Sequence, residues 1–319
     1  MGIWQRSMIA LALNKPLARL VQGQPMLAAL SGRFVGGSNL AETVQMARKL
    51  KSSGKLASLF YLGEYVSDPE RIARTVREYE AAAPAMAAAD LDVHLSVDPT
   101  AIGALIGEQA CRDNAFRIAR AIAGAAETGG LAPERSFLML DMEDSSVTES
   151  TIRLYEDLRE AGLPAAVTLQ AYLHLYERDV KRCIVPGGRI RLVKGALAEP
   201  ASVAATTRAD IDRRYRWAAE MMLSPEAREM GTCPIFATHD VPMIRHIRAT
   251  ARRNGWEPGR YEFEMLYGVR PRLQDALVAV ERLRLYLPFG EDWWPYAIRR
   301  VGENPRNVPL LMKALLNSR

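Results

Sequence analysis

The most regular feature of the sequence is an alternation of short apolar runs with longer helical patterns, starting near residue 55. The apolar runs end in polar residues, which is typical of buried parallel strands. We predict strands over 56–62, 93–97, 137–142, 166–171, 190–195, 234–238, 261–266 and 283–287. Between them, segments such as 210–223 carry apolar residues three and four positions apart, which predicts helices.

This order of elements predicts the fold class. Strands that alternate with helices form parallel sheets, and eight such units favour an α/β fold of the closed (βα)8 TIM-like barrel type over an open doubly wound sheet. No Gly-x-Gly-x-x-Gly turn follows a strand, which also argues against a dinucleotide-binding open sheet. We expect an N-terminal helical arm over 1–50, a barrel domain over 51–319, and a C-terminal helix over the carboxyl face of the barrel.

Composition narrows the class of protein. The chain has 319 residues, 49% hydrophobic and 25% charged, with a net charge of +5, which excludes a disordered chain and gives no indication of a nucleic-acid partner. Its three cysteines lack the paired spacing of zinc or dithiol sites, so we expect reduced thiols in a cytoplasmic protein. The apolar run 8–13 is far shorter than the roughly 20 residues that cross a bilayer, so we expect at most peripheral membrane association.

Polar residues at the strand ends are the candidate functional residues. Active sites of such barrels lie at the carboxyl ends of the strands. The strand-end residues are Gly63, Glu64, Asp98, 141–144, Gln170, 191–194, 238–240, and Glu262 with Glu264. Asp141, Glu143 and Asp144 fit either a magnesium site or ion pairs at the barrel rim. His239 fits a proton shuttle or a hydrogen-bonding group, and no spacing supplies it with metal-binding partners, so we expect no metal.

The C-terminal segment 293–303 carries a second group of candidates. Pro295 fits the first turn of a helix, and Tyr296, Arg299, Arg300 and Glu303 then share one face of it. Two guanidiniums beside a tyrosine form a receptor for a carboxylate, and the glutamate one turn on would orient the first arginine. The alternative is an exposed charged helix with an ordinary salt bridge.

The segment 191–196 places two cations, Arg191 and Lys194, next to Gly195. Alternation sends Arg191 and Val193 to one face of the strand and Lys194 to the other. Both cations therefore converge only if the strand ends near Val193. Because the surrounding strand is buried on both sides, this arrangement favours a bound anion close to the glycine backbone.

Taken together, these segments resemble the proline dehydrogenases, which are FAD-dependent barrel enzymes that oxidise proline to pyrroline-5-carboxylate. The matching strings are YLGE (61–64), LDMEDS (140–145), LQAYL (169–173), RLVKGA (191–196), FATHD (236–240), YEFEMLYG (261–268), YLPFG (286–290) and the C-terminal helix. They occur in the family's order over about residues 55–305, so they cover most of the chain.

The resemblance implies a cofactor and a set of roles. Residues matching the family's FAD-binding positions are Gln170, Arg191, Lys194, Gly195, Thr238, His239 and Glu303. It further implies that Arg299 and Arg300 bind the substrate carboxylate, with Glu303 orienting Arg299. Tyr286, Tyr296 and Leu266 match the walls around the substrate ring, and hydride would pass to flavin N5. The substrate is then a small amino acid or amine, and the electron acceptor is left open among a quinone, oxygen and other carriers.

Two positions depart from the family's pattern. The family carries a lysine on the second strand, paired with the aspartate that corresponds to Asp141, and this chain has Asp98 instead. The family's Lys-Gly-Ala-Tyr string ends here in Leu197. Asp98 beside Asp141 predicts repulsion unless a proton or a cation intervenes.

The departures leave three interpretations. The first is an ordinary proline dehydrogenase in which a neighbouring residue compensates. The second is a family member diverted to a different amine, to a hydrazine, or to an esterified or carrier-bound amino acid. The third is a non-catalytic barrel that acts as a binding module.

Overall fold

Eight strands and their connecting helices make up the part of the chain that the computed structural model describes, residues 32–303, with side chains as far as residue 298. The strands are β1 (Leu56–Tyr61), β2 (Val93–Val97), β3 (Ser136–Leu140), β4 (Ala165–Gln170), β5 (Arg189–Val193), β6 (Cys233–Ala237), β7 (Glu262–Leu266) and β8 (Leu283–Phe289). They pair in chain order, all in parallel, and β8 pairs with β1. The predicted closed barrel is confirmed.

Helices surround this barrel. They are α1 (Leu40–Ser52), α2 (Pro69–Ala88), α3 (Glu108–Thr128), α4 (Thr148–Glu160), α5 (Tyr176–Cys183), α6 (Arg208–Met222), α7 (Pro225–Glu229), α8 (Val241–Arg253), α9 (Pro271–Val278) and α10 (Trp293–Glu303). Short 3-10 turns occupy Pro99–Ile102 and Pro133–Arg135. The helix predicted over 210–223 is α6, and it starts where Thr207 Oγ1 accepts the Asp210 N–H at 3.2 Å.

The strands and helices bury each other's apolar sides. Every residue of β2, β3 and β4 is buried, as expected for parallel strands covered by helices. Helix α3 shows the matching pattern, because its buried Cys111, Ala115, Ile118 and Ile122 lie four, three and four positions apart. The main apolar core therefore forms a layer between the barrel and its helices.

The predicted strand boundaries lie within two residues of those observed. The largest differences include the end of β5, predicted at residue 195 and observed at Val193. Gly195, two residues beyond, has a φ of +107°, which no extended strand of L-residues adopts. The condition for Arg191 and Lys194 to converge is thus met.

One strand-end assignment was wrong. Glu262 was expected at the carboxyl end with Glu264, but it is the first residue of β7 and lies at the amino end of the barrel. There its carboxylate accepts from Arg284 Nε at 2.7 Å and from Arg282 Nε at 2.9 Å. Two residues along a strand span about 6.6 Å, so the two glutamates of β7 serve different levels of the barrel.

The described part of the predicted N-terminal arm begins at residue 32, and residues 1–31 lie outside the described residues. Helix α1 packs against β1 and β8. No helix within 32–303 combines the length and the apolar composition that a bilayer crossing needs. The described residues also contain no group of three or more His, Cys, Asp or Glu side chains placed to bind a metal ion. All three cysteines are free thiols.

Candidate active site

A cavity of about 350 Å³ opens at the carboxyl ends of the strands. It brings together most of the residues that the sequence singled out. The predicted residues on its wall are Asp98, Asp141, Gln170, Arg191, Lys194, Gly195, Leu197, Thr238, His239, Leu266 and Tyr286. They come from β2 to β8 and the loops that follow, so the convergence depends on barrel closure.

Arg191 is the centre of the polar network beneath this cavity. It is 4% exposed, and its guanidinium donates to Thr168 Oγ1 at 3.0 Å and to Ser96 Oγ at 3.1 Å. It also forms ion pairs with Asp141 and, at 3.1 Å, with Glu264. Two carboxylates thus hold the guanidinium in place, and their combined charge exceeds its own.

Asp141 has both of its oxygens occupied. Oδ1 accepts from Arg191, and Oδ2 accepts from the Tyr286 hydroxyl at 2.8 Å. Burial, followed by the charge of Asp98, raises the pKa of Tyr286 well above its ordinary value, so the phenol stays protonated and donates. Arg191 therefore supplies Asp141 with a cationic partner.

Lys194 lies just beyond the end of β5. Its ammonium pairs with Asp240 Oδ2 at 2.7 Å and also with Asp212 of α6. Lys194 and its Asp240 partner tie the loops after β5 and β6 together. The Lys194 charge is therefore held at the rim of the cavity rather than on a freely moving side chain.

Gln170 ends β4 and is 4% exposed. Its Nε2 donates to the Met142 carbonyl at 3.3 Å. Its Oε1 is buried and has no hydrogen-bond partner among residues 32–298. A buried amide oxygen without a donor is uncommon in native structures, and it marks a place where a ligand donor fits.

His239 and Leu266 are joined directly. The Leu266 backbone N–H donates to His239 Nε2 at 3.1 Å. Because Nε2 accepts this bond, the neutral ring carries its proton on Nδ1. Thr238, the preceding residue, accepts the Asp240 N–H on its hydroxyl at 3.1 Å, which shapes the turn after β6.

Glu143 is an additional acidic group on the cavity wall. Its carboxylate accepts the Thr100 N–H at 2.8 Å and the Thr100 hydroxyl. Burial raises the pKa of Glu143 to about 7, against the effect of these bonds and together with the charges of Glu64 and Asp144. No cation pairs with Glu143 among the described residues, so this part of the wall carries negative charge above neutral pH.

Gly195 occupies a position that no other residue fits. A Cβ built on it would lie 2.2 Å from the Tyr172 ring, in addition to the positive φ. The backbone on this wall is therefore fixed against Tyr172. Leu197, two residues on, is partly exposed and contributes an apolar side chain to the cavity wall.

The C-terminal helix α10 begins at Trp293, so Pro295 lies in its first turn as predicted. Trp294 and Tyr296 are buried, at 0% and 6% exposure, so the first turn of the helix packs against the rest of the protein. Tyr296 contributes to the raised pKa of Tyr286, so it lies near the cavity. Arg299, Arg300 and Glu303 fall within this helix, but their side chains lie outside the described residues.

Sequence reasoning missed the hydroxyl groups that support Arg191. The Ser96 and Thr168 hydroxyl oxygens accept hydrogen bonds from the guanidinium, and the Ser58 hydroxyl donates to Glu264. The available signal was a single hydroxyl residue in each of three apolar strands. That signal becomes specific only after a neighbouring strand is known to carry a buried arginine.

Comparison with known proteins identifies the family. The family model described as "Proline dehydrogenase" matches residues 43–311. Proline dehydrogenase 1 of Bacillus subtilis subsp. natto is 31% identical over 285 residues, covering 89% of this chain and 90% of the relative. Proline dehydrogenase of Deinococcus radiodurans is 33% identical over 293 residues, covering 90% of each chain.

Solved structures share the fold. Proline utilization A of Bdellovibrio bacteriovorus, inactivated by N-propargylglycine, superposes with a TM-score of 0.77 at 21% identity, covering 95% of this chain. A variant of proline utilization A of Bradyrhizobium japonicum gives a TM-score of 0.69 at 18% identity over 87% of this chain. The match spans 36% and 31% of those longer chains. The family match over most of the sequence shows that this chain belongs to the proline dehydrogenase family.

Proposed function

We propose that this chain is an FAD-dependent dehydrogenase that oxidises the carbon–nitrogen bond of L-proline, or of a close analogue, with pyrroline-5-carboxylate as the product from proline. As a member of the proline dehydrogenase family, the chain is an oxidoreductase. The observation that carries the cofactor assignment is the convergence of Gln170, Arg191, Lys194, Thr238 and His239 on one cavity at the carboxyl end of the barrel.

The cavity wall fits a flavin chemically. A flavin ring edge alternates carbonyl oxygens with a ring N–H, so it needs both donors and an acceptor from the protein. The unpartnered Gln170 Oε1 supplies a buried acceptor. Arg191 and Lys194 supply donors and positive charge. We therefore assign these three residues to the flavin, with Thr238, His239 and the Gly195 backbone completing the contact surface and Glu303 acting from α10.

When bound, FAD supplies the two-electron acceptor, which takes a hydride at N5 from the carbon next to the substrate nitrogen. The chain's own residues bind, orient and balance charge. The Arg191 guanidinium would donate hydrogen bonds to an anionic reduced cofactor, although the combined charge of Asp141 and Glu264 exceeds its own. His239 presents a neutral ring whose proton is on Nδ1, because Leu266 donates to Nε2.

Substrate binding is assigned to the C-terminal helix and the facing strands. Arg299 and Arg300 bind the substrate carboxylate, and Glu303 orients Arg299. Leu266, Tyr286 and Tyr296 enclose the ring. In this proposal the substrate lies between the helix and the cavity, and its enclosure keeps water from the reacting carbon.

A second candidate function is oxidation of a different amine, a hydrazine, or an esterified or carrier-bound amino acid. The observation in its favour is the acidic wall, where Asp98 and Glu143 accompany Asp141 while Leu197 lacks a hydroxyl. Extra carboxylates favour a substrate with additional positive charge.

The electron acceptor is a quinone, oxygen or another carrier, and a membrane quinone would require only peripheral association of the protein with the membrane.

The test is a comparison of substrates on purified protein and on the paired substitution Asp98→Lys with Leu197→Tyr. If proline is the substrate, the unaltered protein turns over L-proline efficiently, and the paired substitution gives little improvement. If the substrate differs, L-proline turnover is poor, a second amine or hydrazine is oxidised, and the paired substitution raises proline activity. Protein that takes up no FAD would contradict both proposals and indicate a non-catalytic binding module.

A further inference from the structure

A second cavity, of about 270 Å³, lies at the opposite end of the barrel from the candidate active site. Its wall includes the first residues of three adjacent strands, Arg189 of β5, Cys233 of β6 and Glu262 of β7. The loops that precede these strands complete it. The amino end of such a barrel normally serves stability, so a polar cavity there calls for a separate explanation.

Three arginines give this cavity a positive charge. Arg189, Arg228 and Arg260 line it, and none pairs with a carboxylate among residues 32–298. Arg189 Nη2 donates to the Pro133 carbonyl at 3.0 Å, and Arg228 Nη1 donates to the Gly255 carbonyl at 2.7 Å. A guanidinium has five N–H donors, so most of them remain available.

The acidic residues of the same wall do not cancel this charge. Glu262 is already paired with Arg282 and Arg284. Glu134 is the other carboxylate on the wall, and it is exposed. With Arg282 included, four arginines and two acids line the cavity, so it attracts anions.

Thr232 provides an independent indication of a ligand. Its side chain is 3% exposed, it lines the cavity, and its Oγ1 has no hydrogen-bond partner in the described part of the chain. Leaving a buried hydroxyl unpaired costs stability. A ligand oxygen in the cavity would accept from this hydroxyl and remove the cost.

The wall also has an apolar side. Phe137 and Trp256 line the cavity, and the Arg189 guanidinium lies 5.2 Å from the centre of the Phe137 ring. Stacking of this kind holds the planar guanidinium in one orientation while its edge stays free to donate. An organic body attached to the anion would find apolar contacts here.

We infer that this cavity binds a phosphate group, either as the free ion or as a phosphate monoester. Arg189, Arg228 and Arg260 supply the donors, and Thr232 supplies the buried hydroxyl. A tetrahedral dianion accepts hydrogen bonds from more directions than a single carboxylate, which suits three guanidiniums and a hydroxyl around one cavity. The inference is independent of the proposed oxidoreductase function.

Calorimetric titration of the FAD-loaded protein with inorganic phosphate, and separately with phenyl phosphate, tests this site. FAD is kept at a saturating concentration, because an empty binding site for the FAD diphosphate would otherwise compete for the added phosphate. We expect saturable binding that Arg260→Gln weakens by about tenfold. The matched control is Arg245→Gln, since Arg245 is exposed on α8 and does not line the cavity, and it should leave the affinity unchanged.

Thr232→Val tests whether the Thr232 hydroxyl contributes to phosphate binding without contributing to the stability of the fold. The substitution keeps the shape and removes the unpartnered hydroxyl, so phosphate affinity should fall several-fold while the unfolding midpoint without phosphate stays the same or rises. Tighter binding of phenyl phosphate would assign the site to a monoester, and equal binding would assign it to the free ion. Failure of both probes to bind saturably, or binding that Arg260→Gln and Thr232→Val leave intact, would overturn the inference.

Discussion

At the scale of single residues, the candidate active site depends on how Asp141 is held. Its two oxygens are bound by a guanidinium and by a phenol, and both donors come from other strands. Arg191 forms an ion pair with Asp141 in a buried position, and the Tyr286 hydroxyl binds the second oxygen. Asp141 is therefore held by donors from β5 and β8.

Tyr286→Phe tests this arrangement. The substitution removes the 2.8 Å bond to Asp141 and leaves the ring in place. We expect kcat/KM to fall by about tenfold or more, because a hydrogen bond to a charged group contributes roughly 1.5–3 kcal/mol. FAD content should not change. The control is Tyr61→Phe, on a half-buried tyrosine of β1 that does not line the cavity, and a similar loss in both variants would argue against the role of the hydroxyl.

The raised pKa of Glu143 predicts the direction in which the stability of the protein changes with pH. Its pKa in the folded protein is raised to about 7, so the folded state binds more protons than the unfolded state between pH 4.5 and 7. Stability is therefore lost as the pH rises through this window. Glu143→Gln removes this loss of stability. The free energy of unfolding of the variant, relative to the unaltered protein, should therefore increase by about 2 kcal/mol or more between pH 4.5 and pH 8.

Denaturant unfolding at the two pH values measures this difference. Glu160→Gln is the control, because Glu160 is exposed at the end of α4, and its effect should be the same at both pH values. If the difference in the free energy of unfolding between Glu143→Gln and the unaltered protein does not change with pH, the Glu143 carboxyl ionises normally in the folded protein.

At the scale of elements, the barrel strands carry two levels of charge. The upper level is Arg191 with Asp141 and Glu264. The lower level is Arg284, which is fully buried and donates to Glu262 at 2.7 Å and to Asp92 at 2.9 Å. A small apolar cluster of Phe137, Met139, Ala166 and Ile235 lies among the barrel strands.

Arg284→Met should destabilise the protein strongly, because it leaves two buried carboxylates short of a partner. We expect a loss of about 3 kcal/mol or more in the free energy of unfolding, measured with denaturant at neutral pH. The control is Arg71→Met, which breaks a pair with Asp292 in which both side chains are about half exposed, and it should cost less than about 1 kcal/mol. Asp92 also pairs with Arg135 at 2.7 Å, and Arg282 pairs with both Asp92 and Glu262. Equal effects would mean that these two arginines suffice to hold the carboxylates of the lower level.

The elements also show what the sequence can and cannot predict. Strand positions follow from local apolar runs ending in polar residues, and they were predicted within two residues. The sequence does not predict whether a charged residue lies near the amino end or the carboxyl end of the barrel. Glu262 and Glu264 share a strand and a face but bind different arginines. Likewise, Ser58 and Ser96 are recognisable as part of the site only once β5 places Arg191 between distant strands.

At the scale of the whole molecule, closure of the barrel produces two separate sites. The carboxyl end collects the residues of the family's motifs around one cavity. The amino end carries the charged network of Arg284 and the arginine-lined cavity beside it. Residues two positions apart on one strand, such as Arg189 and Arg191, thereby line cavities at opposite ends of the barrel.

We propose above all that the cavity at the carboxyl end holds FAD, and that electrons pass to this FAD from a carbon–nitrogen bond of the substrate. The most direct measurement is the visible absorbance of the purified, FAD-loaded protein mixed with L-proline or a related amine in the absence of oxygen. The account predicts that the flavin absorbance is bleached, with one imine formed for each flavin reduced. A flavin that stays oxidised with L-proline and with every cyclic amine, amino acid and hydrazine tested would contradict it.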